Sequence, residues 1–215
     1  MSLRIVVGPM FAGKTSEIQS VVRRYGCLGK KVLILTADID TRYKRDSVVN
    51  HDQNAIPAHG VDIRGLMEVL TWSDFTDATA VVVDEAQFFV DCLIPFLCAE
   101  VDQYGKHVVV VGLDSDAERR PFGDVLTLAT QADSIEKKTA LCRRCGDGTA
   151  AIFTKALAAP VPRMQALAAP VPRMQALAAP VPRMQALAAK SEQVAVGGAD
   201  MYEPVCRRHF LEVSE

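Results

Sequence analysis

Three groups of residues in this 215-residue chain have types and spacings suited to chemistry. The first is Gly8-Pro9-Met10-Phe11-Ala12-Gly13-Lys14-Thr15, which meets G-x-x-x-x-G-K-[ST] at every fixed position. In that pattern the glycines let the backbone curl until successive N–H groups face phosphate oxygens. Lys14 then reaches the β- and γ-phosphates, Thr15 ligates magnesium, and the start of the following helix adds its positive dipole end. The competing reading is a glycine turn with an incidental lysine; a strand before the motif and a helix after it argue against that. The second group is Val81-Val82-Val83-Asp84-Glu85, an apolar run that delivers two carboxylates. The carboxyl end of a parallel strand is the rim where ligands bind. Asp84 suits the magnesium shell, and Glu85, on the opposite side of the strand register, suits taking a proton from a hydroxyl or water. Alone, the pair fits any ATPase, or two solvated acids opening a turn.

The third group is Cys142-Arg143-Arg144-Cys145 and Cys206-Arg207-Arg208-His209, two C-x-x-C/H pairs roughly sixty residues apart. Three thiolates and an imidazole suit tetrahedral zinc, and four protein ligands close the shell, which makes such a metal structural rather than catalytic. Free structural thiols, or a redox dithiol at Cys142 and Cys145, are the alternatives. Cys27, Cys92 and Cys98 have no partner pattern and are expected to be packing residues.

The elements that position these groups follow from hydrophobic pattern. Leu3–Gly8, Lys31–Thr36, Ala80–Asp84 and His107–Gly112 are continuous apolar runs, as in strands buried on both faces of a parallel sheet. Ser16–Tyr25, Asp62–Trp72 and Asp91–Tyr104 read as helices, the last with Asp91 as cap and Pro95 in or near the first turn. Strand–helix alternation makes the first two thirds a doubly wound α/β core. Beyond Leu141 the character changes. Residues 156–185 repeat Ala-Leu-Ala-Ala-Pro-Val-Pro-Arg-Met-Gln three times, a partial copy follows at 186–189, and the block holds six of the eleven prolines. The prolines break any helix and the unit is too short for a solenoid, so the block is expected to be extended or disordered.

Composition excludes other classes. With 24 basic and 26 acidic residues the net charge is −2, which argues against a dedicated nucleic-acid-binding protein. No apolar run approaches the roughly eighteen residues of a membrane span. No cleaved signal peptide is expected, since the N-terminus leads directly into the glycine-rich motif. Paired ligand cysteines point to a reducing, cytoplasmic setting.

Together these residues resemble the type II thymidine kinases, the family of cellular and poxviral enzymes. The likeness covers nearly the whole chain outside the repeats. Gly8–Thr15 resembles that family's version of the phosphate loop. Asp40-Thr41-Arg42-Tyr43 and His51-Asp52-Gln53-Asn54 resemble its D-x-R-Y and H-D-x-N segments. Asp84-Glu85-Ala86-Gln87-Phe88-Phe89 is similar to its D-E-x-Q-F-F signature, and Arg120-Pro121-Phe122-Gly123 to its basic-P-F-G element. Val196–Tyr202 is similar to the lasso end that closes over the nucleoside.

The resemblance implies a P-loop NTPase-like parallel sheet flanked by helices, over 1–139, and a small zinc-binding lasso domain, over 140–215, carrying the repeats as an insertion at 156–189. It implies transfer of the ATP γ-phosphate to the 5′-hydroxyl of thymidine to give dTMP, in nucleotide salvage, with deoxyuridine as a second acceptor. Glu85 would be the general base and Arg42 would lie near the transferred phosphate. Met10, Phe88, Leu113 and Tyr202 would line the base pocket, while Thr154 and the backbone of Val196 and Gly197 would read the pyrimidine edge. Magnesium with ATP, structural zinc on Cys142, Cys145, Cys206 and His209, a homotetramer and a cytoplasmic location complete the expectation. Three departures stand out: Ala12 replaces a serine, Ala117 stands where an aromatic is usual and widens the expected pocket, and Thr154-Lys155 is followed by Ala156 rather than the usual arginine, after which the repeats lengthen the lasso. Two rivals remain at this point, a P-loop ATPase whose zinc knuckle binds nucleic acid and a catalytically weakened nucleotide-binding module. The first requires a basic face and aromatic stacking positions around the knuckle; Arg143, Arg144, Arg207 and Arg208 supply charge, but aromatics there are few.

Overall fold

The computed structural model describes residues 1–38, 47–49, 55–89, 91–157 and 201–212. The elements run in the order β1 (Ser2–Val7), α1 (Lys14–Gly26), β2 (Val32–Ala37), β3 (Ser47–Val49), β4 (Ala55–Pro57), β5 (His59–Val61), α2 (Ser73–Asp77), β6 (Ala80–Asp84), α3 (Leu93–Cys98), β7 (His107–Gly112), β8 (Ser134–Lys137), β9 (Ala140–Leu141), β10 (Ala150–Ala151), β11 (Phe153–Ala156), β12 (Tyr202–Val205) and α4 (Arg207–Leu211). Six strands form one sheet in the order β5-β2-β6-β7-β1-β8, every pairing parallel. The apolar runs are continuous because both faces are covered. Leu3, Ile5, Val7, Leu33, Leu35, Val81, Val83, Val108 and Val110 pack on one face with α3 and its neighbours. Val6, Ile34, Val82, Val109 and Val111 alternate with them and pack against Ile18 and Val21 of α1 on the other. With side chains alternating along a strand, one run supplies two cores.

Two helical expectations change form. Over 62–72 there is a 3-10 turn, Leu66–Thr71, followed by α2. Gly65 heads the turn, and Trp72, extended at φ −78° and ψ 141°, separates it from α2. Leu66 and Val69 are still buried, because their three-residue spacing stacks on one side of a 3-10 turn. Over 91–104, α3 continues into a π-helical turn, Ala99–Gln103. Pro95 is the third residue of α3, as expected, but Asp91 is not the cap. Cys92 holds that position without a side-chain cap bond, and Asp91 lies at φ +66° with its N–H donated to Asp124 Oδ2 at 3.2 Å.

Cys27 also departs from expectation: it is exposed just past α1, where the chain turns out toward Leu28. Cys92 is half-buried, its thiol donating to the Ile63 carbonyl, and the Cys98 side chain lies outside the described residues. The small strands make antiparallel pairs, β9 with β10 and β11 with β12. The latter pair continues with the Leu157 N–H donated to the Met201 carbonyl at 2.8 Å, a closed stem at the borders of 158–200. The repeat units beyond Leu157, the D-x-R-Y and H-D-x-N segments with Arg42, and Val196 and Gly197 lie outside the described residues. Among the described residues no helix is long and apolar enough to cross a membrane.

Candidate active site and metal cluster

The sheet's carboxyl rim assembles the first two groups of residues. β1 ends at Val7 and α1 begins at Lys14, so the glycine-rich motif spans the strand-to-helix turn. Gly13 precedes the helix at φ +74°, a left-handed conformation that glycine adopts without steric cost. At Gly8 a Cβ would collide with the Lys138 carbonyl oxygen. Lys138 is fixed there by its N–H bond to the Val7 carbonyl (2.8 Å) and by ion pairs to Glu17 (3.1 Å) and Glu136 (2.8 Å), both of which also bind Arg4. Lys14 folds over the loop and donates to the carbonyls of Gly8 (3.2 Å) and Pro9 (2.8 Å). Burial pushes its ammonium below the usual lysine range, opposed by the carboxylates of Glu85, Asp84 and Asp114.

Asp84 and Glu85 take opposite environments, and not by the strand alternation that the sequence suggested: β6 ends at Asp84, and Glu85 lies beyond it, in a left-handed turn. Asp84 is buried and Glu85 exposed, with Glu85 in the left-handed region at φ 50° and ψ 38°. Burial, and then repulsion from Glu85, push the Asp84 carboxyl up to about 7. Its Oδ1 accepts the Glu85 N–H at 2.9 Å. Such a carboxyl is poised for a cation, whose charge reverses both effects. Two side chains to which the sequence analysis gave no role complete the rim. Asp114, just past the end of β7, is buried; Lys137 holds its Oδ2 at 2.6 Å, while its Oδ1 has no hydrogen-bond partner. Gln87 is fully buried between Glu85 and the end of β7. A carboxylate directly after an apolar run was the available signal for Asp114; Gln87 stood at a fixed position of the D-E-x-Q-F-F signature, but nothing there indicated which groups its amide would join.

The two adjacent phenylalanines separate, and Phe88 is the one expected at the nucleoside. Phe89 is wholly buried in the larger core, whereas Phe88 is half-exposed and meets Phe122 edge-on, with ring centroids 5.3 Å apart. Met10, Leu113 and Tyr202 are likewise half-buried. Burial, then the nearby Glu118 charge, raises the Tyr202 phenol above its ordinary value. Ala117 is half-buried in a tight loop centred on Asp116, whose carboxylate accepts the N–H groups of Glu118 and Arg120 and pairs with the Arg120 guanidinium at 2.7 Å. Thr154 is buried, and its Oγ1 accepts the Met10 N–H at 3.0 Å, tying β11 to the phosphate loop. The adjacent Lys155 serves structure: its ammonium donates to the carbonyls of His209, Phe210 and Glu212 at the end of α4.

Cys142, Cys145, Cys206 and His209 converge, with one ligand atom from each lying within 4.8 Å of the others. The three sulfurs stand 3.3–3.4 Å from His209 Nδ1, and Cys145 Sγ lies 3.8 Å from Cys206 Sγ. Zinc bonds of about 2.3 Å to sulfur and 2.0–2.1 Å to nitrogen imply tetrahedron edges of about 3.5–3.8 Å, within a few tenths of an ångström of these separations. The cluster therefore could hold zinc. Burial alone would raise the Cys142 thiol, but N–H donors of Cys206 and Cys145 and the His209 ring bring it down to about 6. Burial, then its sulfur neighbours, push Cys145 up to about 11. One thiolate forms readily and the next resists, the state that a dication relieves. Glu212 Oε2 sits 3.7 Å from His209 Nε2, a carboxylate behind the ligand ring that the two C-x-x-C/H pairs did not announce. Ala12 and Phe11 of the phosphate loop pack into the same small core as Cys142 and Cys206.

What this rim can do is hold a nucleotide's phosphates opposite an exposed carboxylate, which places the molecule among the P-loop nucleotide-binding α/β proteins. Its relatives narrow the class. A family model described as thymidine kinase matches residues 1–210. A thymidine kinase of Oryza sativa subsp. japonica is 35% identical over 212 residues, 98% of this chain and 66% of the relative. One of Bacteroides thetaiotaomicron is 35% identical over 209 residues, covering 97% and 86% of the two chains. One of monkeypox virus is 30% identical over 210 residues, covering 98% and 97%. The chain belongs to the thymidine kinase family. It spans about two thirds of the rice relative's length.

Proposed function

We propose that the chain transfers the γ-phosphate of ATP to the 5′-hydroxyl of thymidine, with deoxyuridine as a second acceptor, in cytoplasmic nucleotide salvage. The observation that carries this reading is the placement of Glu85, exposed and within electrostatic reach of Lys14, on the rim of a chain matched to the thymidine kinase family over 1–210. Glu85 accepts the proton of the 5′-hydroxyl as its oxygen attacks the γ-phosphorus, and the bond from that phosphorus to the bridging oxygen of ADP breaks. Lys14 exchanges its two loop carbonyls for phosphate oxygens. Magnesium, held by Thr15 and Asp84, would supply charge neutralisation to the phosphates. Met10, Phe88, Leu113 and Tyr202 face the base, Thr154 its polar edge, and Arg42, Val196 and Gly197 belong to the same site by family resemblance. Zinc on Cys142, Cys145, Cys206 and His209 is structural, in a lasso domain over 140–215 beside the nucleotide domain over 1–139, and the assembly is a homotetramer by the same resemblance.

The knuckle-on-nucleic-acid alternative needs open stacking faces. The described rings at the knuckle are half-buried and already carry guanidinium groups: Arg119 lies over Phe153 and Phe210, at 5.6 and 4.8 Å, and Arg207 over Phe153 at 5.2 Å. A radiometric assay with ATP, magnesium and each of the four deoxynucleosides tests the reading. Phosphorylation of thymidine above the others supports it, and ATP hydrolysis without nucleoside phosphorylation overturns it. Glu85→Gln should lower kcat by about 10²–10⁴-fold with thymidine binding retained; a variant within fivefold of the parent removes Glu85 from the role of base.

A further inference from the structure

We infer that Gln87 is the positioning residue of the base, holding the Glu85 carboxylate by one oxygen so that the other is presented to the acceptor hydroxyl. This rests on the reading of Glu85 as the base. The Leu113 backbone N–H can only donate, and it meets Gln87 Oε1 at 3.0 Å. The amide nitrogen therefore faces the other way, and it donates to Glu85 Oε2 at 2.5 Å. A flipped amide would set donor against donor at Leu113 and oxygen against carboxylate at Glu85, so the orientation is forced. Gln87 has no exposed surface, and a buried amide is stable only when its polar atoms are paired.

The surrounding backbone makes room for this one side chain. A Cβ on Gly112 would stand 2.7 Å from Gln87 Oε1, and one on Gly123 would collide with the Gln87 carbonyl. The amide thus links Glu85, on an exposed turn, to the end of β7, where Leu113 stands among the proposed base-pocket residues. An exposed glutamate samples several rotamers; one tied to a buried amide is oriented before substrate arrives. Misplacing a reacting group by about 1 Å costs on the order of 10²-fold in rate.

The test is steady-state kinetics on three single variants and one double variant. Gln87→Met keeps the length and removes both hydrogen bonds. Gly112→Ala keeps Gln87 and pushes its amide aside, a displacement of the flexible end of a side chain. Each should lower kcat roughly 10–100-fold, with the KM values for ATP and thymidine within about threefold of the parent. On a Glu85→Gln background, Gln87→Met should cost less than about twofold more, because the carboxylate it orients is gone. An equal loss on both backgrounds overturns the positioning role and leaves the base intact. Near-parental activity of Glu85→Gln overturns the base, and the positioning role with it. If Gln87→Met gives no cooperative thermal transition, Gly112→Ala decides, and parental kcat in that variant overturns the proposal.

Discussion

Among the described residues, the six-stranded sheet packs twenty-one buried hydrophobic residues on one face and eight on the other, whereas the Cys3His region packs six, two of them ligand cysteines. The sheet is held by burial, at roughly 1.5–3 kcal/mol for each large apolar side chain. The described residues of the small region form two short strand pairs and a five-residue helix around a small apolar core. Joined to that core are four convergent ligand side chains that could hold zinc, and charged pairs such as Arg144–Glu203 at 2.6 Å. The phosphate loop belongs to both: it leaves β1 of the sheet, yet Phe11 and Ala12 pack in the small core and Met10 is bonded to Thr154. A site can therefore depend on two sources of stability that fail under different insults.

Metal removal should separate them most sharply. Purified protein is expected to carry zinc near one per chain, and Cys145→Ser or strong chelation should remove it and raise the ATP KM by about tenfold or more. Hydrogen exchange should accelerate over 140–157, 201–212 and the phosphate loop, while β1, β6 and β7 keep their protection. Uniform loss of protection, or a metal-free protein with parental KM, would break the comparison. A cavity in the sheet's core should do the reverse. Phe96→Ala, at a fully buried position, should cost about 3–5 kcal/mol in denaturant unfolding with zinc content unchanged.

A smaller effect comes from Glu100, buried in the π-helical turn with neither carboxylate oxygen hydrogen-bonded. Burial pushes it up to about 8 from 4.5, against the pull of Lys106. The folded state thus keeps a proton that the unfolded chain releases. The penalty is absent below the unfolded value of 4.5, grows as pH rises, and levels off above about 8. Glu100→Met should raise Tm by about 4–8 °C near pH 8 and far less near pH 4.5, read by calorimetry across that range. An equal gain at both ends would show that ionisation is not the cause.

The smallest effect is expected from the repeats. Residues 186–189 have the same sequence as 156–159, so excising 156–185 rebuilds the end of β11 and Leu157 with identical residues. Two doublings of loop length cost only about 1.2 kcal/mol of closure entropy. The excised protein should keep kcat within about threefold, with the thymidine KM shifted modestly downward. Loss of activity would show that the repeats help build the site.

Much of the fold was readable from local pattern. The β6 and β7 runs carried their own boundaries because both faces of each strand are apolar, and the phosphate loop announced itself because its glycines and Lys14 act within one turn. The site was readable only in part. Asp84 and Glu85 stood out at a strand end, and the two cysteine pairs by their spacing. The break at Trp72 and the displaced cap at Cys92 were not visible, since propensity is a weak signal where packing chooses among helical forms.

By itself, then, the sequence determined the residue types and their short-range spacing: a phosphate loop, a carboxylate pair, four metal ligands and the strands that bear them. Tertiary structure decided which of these meet. Only the sheet order sets β6 beside β7, so that Gln87 reaches both Glu85 and Leu113. Only the folded small region brings Cys142 to His209 and Glu212 behind it, and only its docking ties Thr154 to Met10. The physical reason is range. Hydrophobic period and turn chemistry act over a few residues, whereas hydrogen bonds between distant segments form only after burial has chosen their neighbours.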